Sequence, residues 1–319
     1  MSSPKYSIIV PVYNRPQELD DLLLSLTKQA FRDFEVLIIE DGSSVSSQPI
    51  YEKYSSQLNL NYFFKPNSGP GPSRNFGFEK ALGQYFIVFD SDCQIPEHYL
   101  EAVEKSLKEN PLDAWGGPDR GHSNFTVLQQ AMAFTMASML TTGGIRGGRS
   151  KNFQPRSFNM GISREAFQKT GGFHFDRFAE DIELSIRMKN LGLRVGLIPD
   201  AYVYHQRRAT LKDFYKQVSN FGKGRVLVGK AHRGEIKITH CFPSVFLLGL
   251  FLIMPLMIIS TYWGLALLSA YLIYFIAIAV EALVQTKSIS VAMLCIPAAF
   301  VQLTGYGWGF VKQFALITK

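Results

Sequence analysis

Charge all but disappears from this chain after Phe242, where only Glu281, Lys287, Lys312 and Lys319 remain. Two adjacent stretches, 243–262 and 264–284, are each about 20 residues long and nearly free of charge, the length a helix needs to cross a bilayer. Tyr262, Trp263 and Gly264 are expected to form a tight turn between them, with the aromatic rings at interface level. A third apolar stretch, 289–310, holds Pro297, Gly305, Gly307 and Gly309, so it could kink, re-enter or span. The expected organisation is an α/β domain over 1–204, a basic juxtamembrane helical segment over 205–241, and transmembrane helices over 242–319.

The net charge of +7 is as localised as its loss. Between His205 and Cys241 lie nine basic residues, Arg207 and Arg208 through to Lys237, against only Asp213 and Glu235. That stretch accounts for the whole net charge and leaves the rest of the chain neutral. Basic residues beside an apolar span mark the cytosolic side and favour anionic headgroups, so membrane lipids are the expected partner and nucleic acid is not. Lys287, after the second span, returns to the same side, and a third crossing would leave the C-terminus outside. Cys93, Cys241 and Cys295 are too few and too scattered for a disulfide framework or a zinc site, which suits a reducing compartment. The apolar run after Lys5 is a strand's length and does not read as a signal peptide. An integral membrane protein is expected, with its folded front in the cytosol and a composition suited to a bacterial inner membrane or to an organellar membrane facing the cytosol.

The front of the chain alternates strands and helices. Strands are expected at Tyr6–Val12, Glu35–Ile39, Asn61–Lys65 and Tyr85–Phe89, with helices from Arg15-Pro16 to Leu26 and over Arg74–Ala81. This rhythm predicts an α/β fold with a Rossmann-like, mostly parallel sheet covered by helices on both faces. Ligands of such sheets bind at the carboxyl ends of the strands, and the polar motifs fall there.

Asp90-Ser91-Asp92 sets two carboxylates directly after an apolar strand. Hard divalent cations take oxygen ligands, and Mg²⁺ commonly uses one or two carboxylates together with substrate phosphates. A turn with solvated carboxylates is the competing reading. Asn67-Ser68-Gly69-Pro70-Gly71-Pro72-Ser73-Arg74 allows close backbone approach and brings a guanidinium to a helix start, where it suits a phosphate. The same residues also make an ordinary Gly/Pro loop. Glu180 and Asp181 fall in the first turn of an amphipathic helix marked by Ile182, Ile186 and Met188; they serve there as capping acids or as a general base for an acceptor hydroxyl. Met132, Met136 and Met139 share one helical face within 125–140, most simply a core face, with the lining of a lipid-acceptor path near the membrane as the competing reading.

In order along the chain, SIIVPVYNRPQEL, VLIIEDGSS, NSGPGPSRNFG, FIVFDSD, FNMGISREAFQKTGGF and AEDIELSIRMKNLG resemble the family 2 glycosyltransferases of the GT-A fold across roughly residues 5–205. The resemblance implies a hexosyltransferase-type enzyme that displaces a nucleotide diphosphate directly, with inversion, using Mg²⁺ or Mn²⁺ and a UDP- or GDP-sugar. It places Pro11, Val12 and Tyr13 at the base-contacting end of the first strand and Asp41 on the nucleobase. Glu40 stands where the family more usually has aspartate, which leaves its role open. Arg74 matches a donor-contacting arginine, Asp90 and Asp92 the metal and diphosphate motif, and Asp181 the catalytic base with Glu180 in support. Gly116, Gly117, Asn159, Met160 and Gly161 resemble loops that shape the sugar and acceptor pocket. His205, after an apolar run, is a candidate to assist the metal.

Processive polysaccharide synthases of this fold carry a Gln-x-x-Arg-Trp motif, whereas the comparable region here reads HQRRATLKDFY. Transfer of a single sugar is therefore expected. A carboxylate in the base position suits a hydroxyl acceptor, a sugar on a lipid carrier, since a polyprenyl phosphate is already anionic and needs no base. A polyprenyl-phosphate sugar transferase and a non-catalytic nucleotide-binding membrane subunit are the competing readings. A nucleotidyltransferase would need a Gly-rich phosphate loop with a lysine beside the first strand.

Overall fold

The computed structural model describes residues 3–120, 125–142, 153–205 and 208–317. The strands are β1 Tyr6–Val12, β2 Phe34–Asp41, β3 Leu60–Lys65, β4 Tyr85–Phe89, β5 Cys93–Gln94, β6 Ala114–Gly116, β7 Asp119–Arg120, β8 Asn159–Ser163, β9 Val195–Leu197 and β10 Val203–His205. The helices are α1 Pro16–Leu26, α2 Gln48–Tyr54, α3 Pro70–Lys80, α4 Tyr99–Glu109, α5 Val127–Ala137, α6 Met139–Thr142, α7 Arg164–Thr170, α8 Glu180–Asn190, α9 Leu211–Ala231, α10 Ile238–Ile259, α11 Thr261–Thr286 and α12 Ile289–Ile317. They fall into two compact units, one of residues 1–122 and 151–206 and one of 123–150 and 207–319.

The first unit is built on a seven-stranded sheet of order β3-β2-β1-β4-β8-β6-β9. β1 pairs in parallel with β2 and β4, and β2 with β3. The strand β8 runs antiparallel to both β4 and β6, so the sheet is mixed beyond β4. β1 and β2 are mostly apolar because helices cover both faces: Ile8, Val10 and Val12 face a cluster with α1 and α4, and Ile9, Leu37 and Ile39 face one with α3, α7 and α8. Glu35 and Ser7, buried within these strands, satisfy each other at 2.7 Å. A second, three-stranded sheet of order β5-β10-β7 stands beside the first. Its antiparallel register sets His205 opposite Cys93 and therefore next to Asp92.

The α3 helix starts four residues earlier than expected, at Pro70. Proline suits the first helical position, where its missing N–H costs nothing, and Gly69 at φ 99 supplies the turn into it. A β-carbon on Gly69 would stand 2.8 Å from the Asp176 carbonyl, so the start of α3 is fitted closely to 175–177.

In the second unit α10, α11 and α12 are each long and apolar enough to cross a membrane. The break between the first two falls at Ser260, in extended conformation, and not at the expected Tyr262–Gly264 turn. Tyr262, Trp263 and Gly264 form the first turn of α11, because a single non-helical residue suffices to reverse the chain. Met132 and Met136 are buried against Phe214, Val218 and Ala298. Met139 leaves that face, 66% exposed, because the chain breaks at Ser138 before α6 begins.

Candidate active site

The carboxyl ends of the parallel strands gather most of the polar residues singled out by sequence. β4 ends at Phe89 and is followed at once by Asp90. Its carboxylate accepts a 2.7 Å bond from Nη2 of Arg74, whose Nη1 donates to Oε1 of Glu180, also at 2.7 Å. Arg74 is 3% exposed, and its guanidinium thus spends both forks on a carboxylate from each side of the site. It clasps the end of β4 to the start of α8. Burial pushes the Glu180 carboxyl above its ordinary range, with Asp181 adding to the shift and Arg74 opposing it.

Asp181 follows Glu180 in the first turn of α8. Its Oδ1 accepts from the Ile182 amide at 2.8 Å, and its Oδ2 lies 3.5 Å from Arg156. The turn is entered through Ala179 in a left-handed conformation, φ 57. That geometry costs a non-glycine residue roughly 1–2 kcal/mol, and it directs the two acids to their separate partners.

Asp92 opens the small sheet. Its Oδ1 is 3.0 Å from Nε2 of His205 and its Oδ2 3.2 Å from Nη1 of Arg15. The imidazole stacks on Phe158 at 4.9 Å, which fixes the ring plane. Ligand atoms of Asp92, Cys93 and His205 lie within 4.8 Å of one another. Cys93 donates its thiol to the Phe158 carbonyl at 3.5 Å, and burial, with the charges of Asp92 and Asp90, holds its pKa well above the ordinary value. A neutral thiol is a poor ligand for a hard cation. The carboxylate and imidazole remain as the fitting donors, a set compatible with Mn²⁺.

At the end of β2, Glu40 and Asp41 are both buried and both engaged in holding loops. Glu40 accepts from the Ser47 amide at 2.6 Å and from the Tyr62 hydroxyl at 2.8 Å. Asp41 accepts from the amides of Ser68 and Gly69, each at 2.9 Å, and from Lys65. Burial opposes the Asp41 charge, but Lys65 and the two amides outweigh it and hold the carboxyl below its ordinary range. Of the residues closing β1, Val12 points into the core, Pro11 is half-buried and Tyr13 is 52% exposed. Only Tyr13 offers a side chain to a base.

The glycine and asparagine positions assigned to the sugar pocket are places of close packing. Met160 is in the core, and Asn159 spends its amide on Tyr99 at 2.6 Å and the Ala201 carbonyl at 2.8 Å. A β-carbon on Gly161 would meet the Trp115 ring at 2.0 Å, and one on Gly117 the Ala201 carbonyl at 1.6 Å. Gly116 is backed in the same way by Phe153 and Pro155. Arg15, Arg156 and Cys93 are at the site without having been singled out for it, although Arg15 lies within SIIVPVYNRPQEL, Cys93 directly follows Asp92, and Arg156 stands two residues before FNMGISREAFQKTGGF.

A mixed α/β sheet with a carboxylate pair at the end of its fourth strand and an acid pair opening a late helix defines a GT-A-type domain. The profile described as "Glycosyl transferase family 2" matches residues 7–171, and the chain belongs to that family. An uncharacterized glycosyltransferase of Rickettsia conorii is 34% identical over 110 residues, 34% of this chain and 18% of that protein, so the match spans under a fifth of that relative. Among solved structures, the mannosyltransferase PcManGT of Pyrobaculum calidifontis, in complex with GDP-Man and Mn²⁺, has a TM-score of 0.58 at 17% identity, over 95% of this chain and 88% of that one. TarS 1–349 of S. aureus, in complex with UDP-GlcNAc, has a TM-score of 0.51 at 20% identity, over 98% and 92%. At these identities the likeness is one of fold.

Proposed function

We propose that this chain transfers one sugar from a nucleoside-diphosphate sugar to a hydroxyl group on a lipid-linked or other glycan acceptor, with inversion at the anomeric carbon. The observation that carries this is the clasp of Arg74, which draws Asp90 and the Glu180–Asp181 turn together at the strand ends. Asp181 takes the proton of the attacking hydroxyl as the new glycosidic bond forms and the bond to the diphosphate breaks. Glu180, pinned by Arg74 and by Ser157 at 3.3 Å, fixes where the helix start presents its neighbour. Asp92 and His205, with Asp90 behind them, are the residues to hold a divalent metal, which would offset the charge on the departing diphosphate. Tyr13, exposed at the end of β1, stacks on the base in this reading, and Asp41 keeps the 66–69 loop in shape. Both structural neighbours were solved with nucleotide sugars, one of them with Mn²⁺, which supports a UDP- or GDP-sugar donor and Mn²⁺ or Mg²⁺ as the metal.

The chain is further read as an integral membrane protein of a bacterial inner membrane. α10 and α11 cross the bilayer, and the basic residues of α9 and the loop after it hold the catalytic domain to the cytosolic face. The test is turnover of UDP- and GDP-sugars by the detergent-solubilised full chain, with and without Mn²⁺ or Mg²⁺. Metal-dependent turnover lost in both Asp92→Ala and Asp181→Ala supports the assignment. Absence of any metal-dependent nucleotide-sugar binding overturns it, and binding without turnover on any acceptor overturns it in favour of a non-catalytic nucleotide-binding subunit.

A further inference from the structure

α12 differs from α10 and α11 in where it is buried. Only 11% of the apolar window of α10 or of α11 is buried within the protein, against 44% for α12. The buried residues of α10 are confined to its start, His240, Pro243 and Phe246. Those of α11 are Gly264, which packs on Met257 of the same hairpin, and Ile278 and Ala282 near its end. The far half of the α10–α11 hairpin therefore touches little but itself.

The contacts of α12 show why. Val291, Ala292, Cys295 and Ala299 cluster with Ile278 and Ala282 at the near end of α11, and Phe300 meets Phe275 at 6.3 Å. A helix climbing beside α11 from Val291 would have risen about 24 Å by Gly307 and would stand near the hairpin tip. Gly307 instead lies against the start of α10, where Ser244 Oγ donates to its carbonyl at 3.5 Å. A β-carbon there would be 2.4 Å from the Pro243 carbonyl. α12 thus runs across the base of the hairpin. The other side of its second half is occupied by α9: a β-carbon on Gly309 would be 2.0 Å from the Ser219 carbonyl, and one on Gly222 2.2 Å from that of Tyr306. Up to Phe310, the large apolar side chains that α12 leaves open form one stripe, Ile289, Met293, Phe300 and Trp308; beyond it Val311, Phe314 and Leu316 are exposed as well.

We propose that α12 is an interfacial helix, lying with α5 and α9 as a platform in the headgroup–acyl boundary of one leaflet, its open stripe seated on lipid. A helix that is packed against protein on most sides up to Phe310, with one open apolar stripe that includes a tryptophan, suits that depth, whereas a lone span is apolar and open all round. Residue 317 then lies on the same side of the membrane as the catalytic domain. The inference rests on the reading of α10 and α11 as spans.

Epitope tags placed before Met1 and after Lys319 of the full chain, in sealed inverted vesicles, test it by protease digestion. Loss of both tags without detergent is the expected result. Protection of the C-terminal tag alone, until detergent opens the vesicles, overturns the proposal and leaves the spans standing. The underlying reading is checked separately with Ser260→Cys, in a chain whose three native cysteines are alanine. Labelling of that hairpin tip by an impermeant maleimide only from the opposite face supports the spans. Labelling from the catalytic face, or release of the chain by alkaline carbonate, overturns both.

Discussion

Arg74 and Glu180, 106 residues apart in sequence, meet through a 2.7 Å bond in which both side chains are almost wholly buried. A charge pair in such a place contributes little net stability while intact, but it is costly to break, because the survivor is left unpaired in a low-dielectric interior. Arg74→Met is therefore expected to lower unfolding stability by about 3–5 kcal/mol. Glu180→Gln added to the same chain should recover part of that loss. Thermal unfolding of the single and double variants in one detergent reads both effects.

Asp92 is held between the His205 imidazole and the Arg15 guanidinium, a cation that would compete with a metal for its oxygens. Asp92→Asn keeps the shape and removes the charge. Metal-stimulated turnover should fall about 10²–10³-fold, the usual cost of losing one electrostatic stabiliser. Mn²⁺ titration followed by electron paramagnetic resonance should show weakened binding in both Asp92→Asn and His205→Ala. Unchanged Mn²⁺ affinity in both would remove these residues from the metal site.

Asp181→Asn separates chemistry from donor binding. A general base contributes about 10²–10⁴-fold, so kcat should drop by that factor while nucleotide affinity, measured by calorimetry, stays within error. A rise in KM with unchanged kcat would make Asp181 a binding residue.

Acid should act through Asp41. Its native carboxyl lies below the unfolded value, so it contributes stability in full above the unfolded pKa and loses it as pH falls through the folded one. Stability should therefore decline progressively from about pH 5 downward. Asp41→Asn should be less stable at neutral pH and show a shallower decline. Parallel curves for the two proteins would contradict the role given to Lys65 and the Ser68 and Gly69 amides.

Local signals were readable wherever one segment carries its own reason for its shape. β4 lies where its apolar run closes on Asp90, and α1 begins at the Pro16 that suits a first turn. Misplaced boundaries had equally local causes: Pro70-Gly71-Pro72 looks like a loop until Gly69 is seen to make the turn. The site was legible as residue types at strand ends, and much less so as partners. That His205 faces Asp92 follows from the pairing of β10 with β5, which no spacing within either segment announces. That Asp41 and Glu40 serve their loops, and that Asn159 is spent on Tyr99 and Ala201, depends on atoms contributed from distant stretches of chain.

The two carboxylates of Asp90-Ser91-Asp92 belong to different pieces of architecture. Asp90 hangs from the end of the seven-stranded sheet and is gripped by α3, while Asp92 enters the three-stranded sheet and is gripped by β10. Ser91 is the seam between two frameworks, each already pinned by its own partner. Lengthening or shortening the chain by one residue there has no slack to absorb it, so this short stretch is a place where substitutions outnumber insertions and deletions among functional descendants of the sequence.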